Sequence, residues 1–237
     1  MPGGTLPKIF TAALASSDLS MVYQPIRSIA DKIDTPVSYF EALLRVKGIS
    51  PIVFLSRLDA ADYFKLDLWV VQQVTAQPSH YCYAINISPF SFSNRELISL
   101  LLQSRDRLVL EIVEHYAFTL EQNVLLGEIC CQFSVMLDDL GVAYSSLDRL
   151  CSFAFRGIKI DGSLILRIEK SHKARTIVAA LMQMAQKLNI SCVAECVETE
   201  AIWQLLREAH AAIAPNLSLY VQGWAVGLPQ SLPTFYS

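Results

Sequence analysis

Eight short runs of apolar or β-branched residues, most of them followed by a helix-length amphipathic segment, constrain this chain more than any other feature. The runs lie at Val22–Gln24, Ser38–Leu43, Tyr81–Asn86, Leu108–Glu111, Ser134–Asp138, Gly157–Ile160, Ser191–Glu195 and Leu219–Gln222. Between them apolar residues recur three or four apart, as at Ile177, Leu181, Met184, Ala185 and Leu188, or at Ile202, Leu205, Leu206 and Ala209. That is the spacing of a helix that buries one face. Such alternation predicts an α/β fold, a modified TIM-type (β/α)8 barrel. A length of 237 residues suits one barrel, so a single stand-alone domain is expected over 1–237.

The first connection breaks the alternation. Residues 26–36 are rich in Asp, Ser and Pro, and a parallel crossover needs a dozen or more residues, usually helical. The first two strands are therefore expected to pair antiparallel, giving a barrel with one antiparallel strand.

Composition narrows the function classes. Apolar residues make up 53% of the chain and charged ones 17%, which suits strands covered on both faces. The net charge of -3 supplies no basic field. Duplex nucleic acid is thus not an expected partner, and a phosphate-bearing substrate would need bound cations or a few focused bases. The six cysteines, at 82, 130, 131, 151, 192 and 196, form no paired CxxC units, so reduced and mostly buried thiols are expected. The N-terminal stretch is interrupted and carries one lysine, and Pro78, Pro89 and Pro215 break the long uncharged windows. The expectation is a cytoplasmic protein without membrane insertion.

Polar groups close these apolar runs repeatedly: Glu41 in FEALLR, Asn86 in AINISP, Glu111 in LEIVE, Asp138 and Asp139 in MLDDLG, Lys159 in IKID, and Glu195 with Glu198 in VAECVE. Any one alone reads as a surface cap or an ordinary ion pair. Strand ends converge at the mouth of a barrel, however, and a charged group ending a buried strand is costly unless paired or metal-bound. Together they point to a shared ion site.

The motifs YQPI (23–26), EALLR (41–45), NISP (86–89), EIVE (111–114), DDLGVAYSSL (138–147), KID (159–161), AECVET (194–199) and QGW (222–224) occur in that order. The sequence thereby resembles the EAL-domain family of cyclic di-GMP phosphodiesterases from Tyr23 to Pro229. The resemblance implies that Glu41, Asn86, Glu111 and Asp138 bind one divalent ion. Asp138 would bridge to a second ion supported by Asp139 and Glu195. Hard oxygen ligands suit Mg²⁺ or Mn²⁺. It also implies that Lys159 orients the attacking hydroxide or offsets phosphate charge, that Glu198 completes the outer network, and that Glu195 is a candidate base. Gln24, Arg45 and Gln222 would contact cyclic di-GMP, Trp224 would stack on a guanine or pack on the rim, and Glu114 would position the loop after the Asp pair. A homodimer with that loop near its interface is implied too, with room for an unidentified regulatory protein.

The chain departs from the family pattern within two of its motifs, and its spacing is longer between Glu198 and Gln222 and shorter between Asn86 and Glu111. The loop usually written DDFGTGYSSL reads DDLGVAYSSL, with Leu140, Val142 and Ala143 replacing an aromatic, a threonine and a glycine. Cys196 stands where glycine is usual between the two glutamates, which predicts crowding at that strand end. These changes keep a binding-only adaptor open beside the hydrolase.

Overall fold

The computed structural model describes residues 18–31, 35–112, 118–140 and 147–232. Within them eight strands close a barrel in chain order. They are β1 (Leu19–Ser28), β2 (Tyr39–Val46), β3 (Tyr83–Ile87), β4 (Leu108–Ile112), β5 (Ser134–Leu140), β6 (Gly157–Ile160), β7 (Ser191–Ala194) and β8 (Leu219–Gln222). Each expected run is a strand. From β2 to β8 neighbouring strands run parallel, whereas β1 is antiparallel to both β2 and β8. The short first connection has the predicted consequence: the chain turns back after Ser28 and pairs with itself, Ser38 N–H donating to the Ile26 carbonyl at 3.1 Å.

Helices cover the outside: α1 (Pro51–Leu55), α2 (Ala60–Thr75), α3 (Arg95–Gln103), α4 (Leu120–Gln132), α5 (Leu147–Ser152), α6 (Gly162–Ile165), α7 (His172–Leu188) and α8 (Glu200–Ile213). Side-chain oxygens of Asp59, Asn94, Thr119, Ser171 and Thr199 accept from first-turn amides of the longer helices. Each such cap is worth about 1 kcal/mol. They fix where each helix starts relative to the preceding strand. Among the described residues no helix is long and apolar enough to cross a membrane.

Two sequence expectations need correction. On α7 the buried residues are Ala174, Val178, Met182 and Ala185, while Ile177 and Leu188 are exposed. Leu181 and Met184 are partly buried and pack against the core beside this face. Of the cysteines only Cys130 and Cys192 are buried, and Cys82, Cys131, Cys151 and Cys196 are exposed. Cys131 and Cys151 fall on outward helix positions, and Cys82 and Cys196 on residues flanking strands.

The barrel interior is layered, because residues two apart on a strand face the same way. One layer contains Ile26, Tyr39, Ala84, Met136 and Val193, with Val109 and Tyr220 packed against it. Gly157 leaves that layer the space it needs, since a Cβ there would lie 2.8 Å from the Met136 methyl carbon. Stepping two residues along each strand toward the mouth, and backward on the reversed β1, gives Gln24, Glu41, Asn86, Glu111, Asp138, Lys159, Glu195 and Gln222. Every one is polar. Glu41 is not at a strand end as the sequence reading has it, because β2 continues to Val46 in antiparallel pairing with β1.

Candidate active site

The polar layer is one connected network. Lys159 Nζ lies 2.7 Å from Glu195, 3.0 Å from Glu111, 3.4 Å from Glu41 and 3.5 Å from Asp138. The Asn86 amide donates to Glu41 Oε1 at 3.1 Å, and Gln222 Nε2 donates to Glu41 Oε2 at 2.6 Å. Gln222 Nε2 also lies 3.1 Å from Gln24 Oε1, while Gln24 donates to the Gly227 carbonyl at 3.2 Å. Side chains from all eight strands, or from the residue just beyond one, thus meet in a single ring. Lys159 is 1% exposed, so its head is not at solvent. It is the central cation of the ring.

Asp138 and Asp139 are consecutive, and in a regular strand they would face opposite ways. The pairing of β5 with β6 shifts register between Leu137 and Leu140, and Asp139 takes φ 52. This bulge turns both carboxylates to one side. Oxygens of Asp138, Asp139 and Glu195 consequently lie within 4.8 Å of one another. Asp139 N–H also donates to Asp138 Oδ1 at 2.9 Å, which holds the first carboxylate in place.

Electrostatics follow from four carboxylates around one ammonium. Burial would lower Lys159, but Glu111, Glu195, Glu41 and Asp138 hold it well above the ordinary lysine value. Burial and the Glu41 charge raise Glu111 well above the carboxylate range despite Lys159. Burial pushes Glu41 up too, yet Lys159 and the hydrogen bonds from Gln222 and Asn86 bring it below its ordinary value. Burial raises Glu195 to about 7, Asp138 and Glu41 adding to the rise and Lys159 opposing it. Among the described residues, Glu111 Oε1 is buried without a hydrogen-bond partner. An excess of buried hard-oxygen acceptors over cations, one of them unpartnered, fits a divalent ion of the Mg²⁺ or Mn²⁺ type.

Two cavities meet along β2, sharing Leu43. The larger, about 280 Å³, is lined by Arg45, Tyr63, Asp67, Asn86, Ser88, Asp138 and Asp139 among apolar residues. The other, about 260 Å³, is lined by Gln24, Glu41, Glu195, Cys196, Glu198, Gln222, Gly223 and Trp224. Arg45 donates to the Leu44 carbonyl at 2.9 Å on the wall of the first. Trp224 is 64% exposed, so it is a free ring at the rim of the second and not a packed one. Cys196 adopts φ 49, and its sulfur occupies space at Gly162, where a Cβ would come within 2.2 Å. The expected crowding is met by a glycine across from it. Glu114 and the Gly141–Ser146 part of the altered loop lie outside the described residues.

Two participants escaped the sequence reading. Tyr39 lies beneath the ring in edge contact with Tyr220, its pKa raised well above the ordinary value by burial and then by Glu111. Asp67, on α2, is a buried carboxylate that accepts from Ser88 N–H at 3.0 Å and Ser91 Oγ at 2.6 Å. Its signal was a lone acid among Leu66, Val70, Val71 and Val74 on the buried face of a helix.

This geometry has counterparts. A family model described as the EAL domain matches residues 8–229. The cyclic di-GMP phosphodiesterase NbdA of Pseudomonas aeruginosa is 29% identical over 244 residues, covering 93% of this chain and 30% of that protein. The manganese and cyclic di-GMP complex of Klebsiella pneumoniae BlrP1 matches with a TM-score of 0.75 at 26% identity, over 97% of this chain and 59% of that one. The PaMucR phosphodiesterase in complex with c-di-GMP matches with a TM-score of 0.72 at 24% identity, over 95% and 97%. The chain spans 25 to 36% of the length of the curated relatives it matches. With a closed barrel, its one reversed strand and a family match from residue 8 to residue 229, this chain belongs to the EAL domain family.

Proposed function

We propose that this chain hydrolyses cyclic di-GMP to linear pGpG in a reaction that depends on divalent cations. Water adds across one of the two phosphodiester bonds, the bond from phosphorus to a ribose 3′ oxygen breaks, and a 5′ phosphate remains. The observation that carries the reading is the ring itself: Lys159 touches carboxylates from three strands and from the residue just beyond a fourth, two of which also belong to the Asp138, Asp139 and Glu195 cluster. The named relatives and the cyclic di-GMP complexes support the choice of substrate.

Glu41, Asn86, Glu111 and Asp138 would hold one Mg²⁺ or Mn²⁺ ion, and Asp138, Asp139 and Glu195 a second. Bound there, such ions lower the pKa of water and neutralise charge on the phosphate oxygens. The chain's own residues do the rest. Lys159 gathers the carboxylates and keeps a positive charge facing the phosphate. Glu195 is the candidate base at this ring, and in the metal-free ring burial raises it to about 7. Arg45, on one cavity wall, would pair with a phosphate through its two-pronged guanidinium. Gln24 and Gln222 present amides in the other cavity, where Trp224 offers a stacking face. Glu198, partly buried in the same wall, orders the outer solvent. The family resemblance further supports a homodimer, which light scattering across concentration checks.

The test is to incubate the purified chain with cyclic di-GMP in Mg²⁺ and separately in Mn²⁺ and to resolve products by chromatography. pGpG should form in at least one metal and disappear with EDTA. Binding without turnover in either metal would make the chain a nucleotide-binding adaptor, and product formation that survives complete metal removal would reject the mechanism.

A further inference from the structure

Asp67 is a buried carboxylate outside the ring. It sits in the middle of α2, is 4% exposed, and no cation among the described residues offsets its charge. Its Oδ2 accepts both the Ser88 backbone N–H and the Ser91 hydroxyl. Burial raises its pKa from 3.8 to about 7 even against those two bonds. Burying such a group without a counter-charge is costly, so what it holds is informative.

What it holds is the turn that follows β3. Ser88 precedes a single 3₁₀ turn, Pro89–Ser91, and Ser88 Oγ accepts from Phe90 N–H at 3.3 Å. Asn86 lies two residues before Ser88, next to last in β3, with its amide on Glu41. Asp67 grips both sides of the proline, so the strand end cannot rotate or slide without breaking a charge-assisted bond. Asp67 and Asn86 also line the same cavity, together with Asp138 and Asp139. Outer groups that orient a ligand side chain in this way are worth about 10- to 100-fold in metal affinity.

We propose that Asp67 is a positioning residue that fixes the Asn86 amide in the ring by clamping the Ser88–Ser91 turn. The proposal rests on reading the ring as a divalent-cation site. Asp67 does not touch the ion or the reacting phosphate; it acts through the backbone of the turn.

The test uses the whole chain, stripped of metal, titrated with Mn²⁺ while the free-ion signal is followed by electron paramagnetic resonance. Asp67→Ala and Ser91→Ala should each weaken Mn²⁺ binding about tenfold, and Asp67→Asn, whose carbonyl can still accept both bonds, should stay close to wild type. Adding Asp67→Ala to Asn86→Ala should cost no further affinity, because both changes remove the same ligand placement. Unchanged affinity in Asp67→Ala, or losses that multiply in the double variant, would overturn the proposal. Should Asp67→Ala fail to fold, Ser91→Ala decides alone, because it removes the shorter bond and almost no volume.

Amide exchange over residues 86–91 in the metal-free protein supplies a readout independent of the ring's function. Exchange should accelerate in Asp67→Ala and remain slow in Asp67→Asn, with the rest of β3 and β4 unchanged. A wild type that binds no Mn²⁺ sinks the reading of the ring. The clamp is then judged by exchange, and unaltered exchange in Asp67→Ala would overturn it.

Discussion

The barrel carries two interior layers two residues apart on the same strands, and they are chemical opposites. Ile26, Tyr39, Ala84, Val109, Met136, Val193 and Tyr220 fill the lower layer with apolar and aromatic side chains. The upper holds Gln24, Glu41, Asn86, Glu111, Asp138, Lys159, Glu195 and Gln222. Strand pairing, twist and helical cover are common to both, so the contrast isolates side-chain chemistry. The lower layer stabilises the barrel by removing apolar surface from water. The upper layer concentrates buried charge that a purely structural barrel would replace with leucine or valine. A fold retains so costly a layer where the charges bind something.

The contrast breaks hardest at Lys159. Lys159→Met removes the ammonium that, among the described residues, contacts Glu41, Glu111, Asp138 and Glu195. Metal-free stability measured by urea denaturation should fall by about 3–5 kcal/mol, the cost of leaving buried charge uncompensated. Saturating Mn²⁺ should restore much of it. A loss below about 1 kcal/mol would mean that the carboxylates are already neutral or already solvated.

Met136→Ala, in the lower layer, should cost about 2–5 kcal/mol through the cavity it leaves. The folded fraction should bind Mn²⁺ as wild type does. Weakened Mn²⁺ binding at equal folding would show that the two layers are not separable.

The buried carboxylates of the ring and of α2 should also answer to pH. Asp67 and Glu195 are both raised to about 7 from ordinary values of 3.8 and 4.5, each chiefly by burial. Between those values the folded state binds more protons than the unfolded one, so metal-free stability falls as pH rises from about 4 to about 7. Glu111 shifts in the same direction. Glu41 is shifted the other way, so its contribution is lost only as pH falls below its ordinary 4.5. Thermal melting across this window should show the decline, and bound Mn²⁺ should flatten Glu195's share. A rising or level profile would contradict the electrostatics of the ring.

The smallest expected effect is at Cys196. With φ 49 it pays the left-handed penalty of a residue with a Cβ, about 1 kcal/mol. Cys196→Gly should leave melting unchanged or raise it slightly while widening the cavity that Trp224 borders. A clear drop in stability would show that the contact of the thiol with Gly162 outweighs the backbone strain.

Much of the fold was legible in the sequence because strands buried on both faces must be written as apolar runs, and because the segment at 26–36 cannot span a parallel crossover. The ring residues were legible for a related reason: Glu111 and Lys159 interrupt runs that would otherwise be wholly apolar. What the sequence hid depends on backbone geometry. No spacing rule shows that a bulge would turn Asp138 and Asp139 to the same side. Asp67 is a lone acid on an apolar helix face, but only the fold shows that it lies against the Ser88 turn. The facing side of α7 was legible only in part: Ala185 is buried and Leu181 and Met184 pack against the core as expected, whereas Ala174, Val178 and Met182 face the barrel and Ile177 and Leu188 do not. The thiols at 82, 131, 151 and 196 were misjudged because residue type carries no direction on a helix or at a strand end.

The most direct measurement is anomalous diffraction from crystals soaked in Mn²⁺, which locates the ion without reference to turnover. A peak within bonding distance of Asp138, Asp139 and Glu195, and another against Glu41, Asn86 and Glu111, is the expected result. Crystals that bind Mn²⁺ only elsewhere, with Lys159 still pairing all four carboxylates, would contradict the assignment of the upper layer as a cation site.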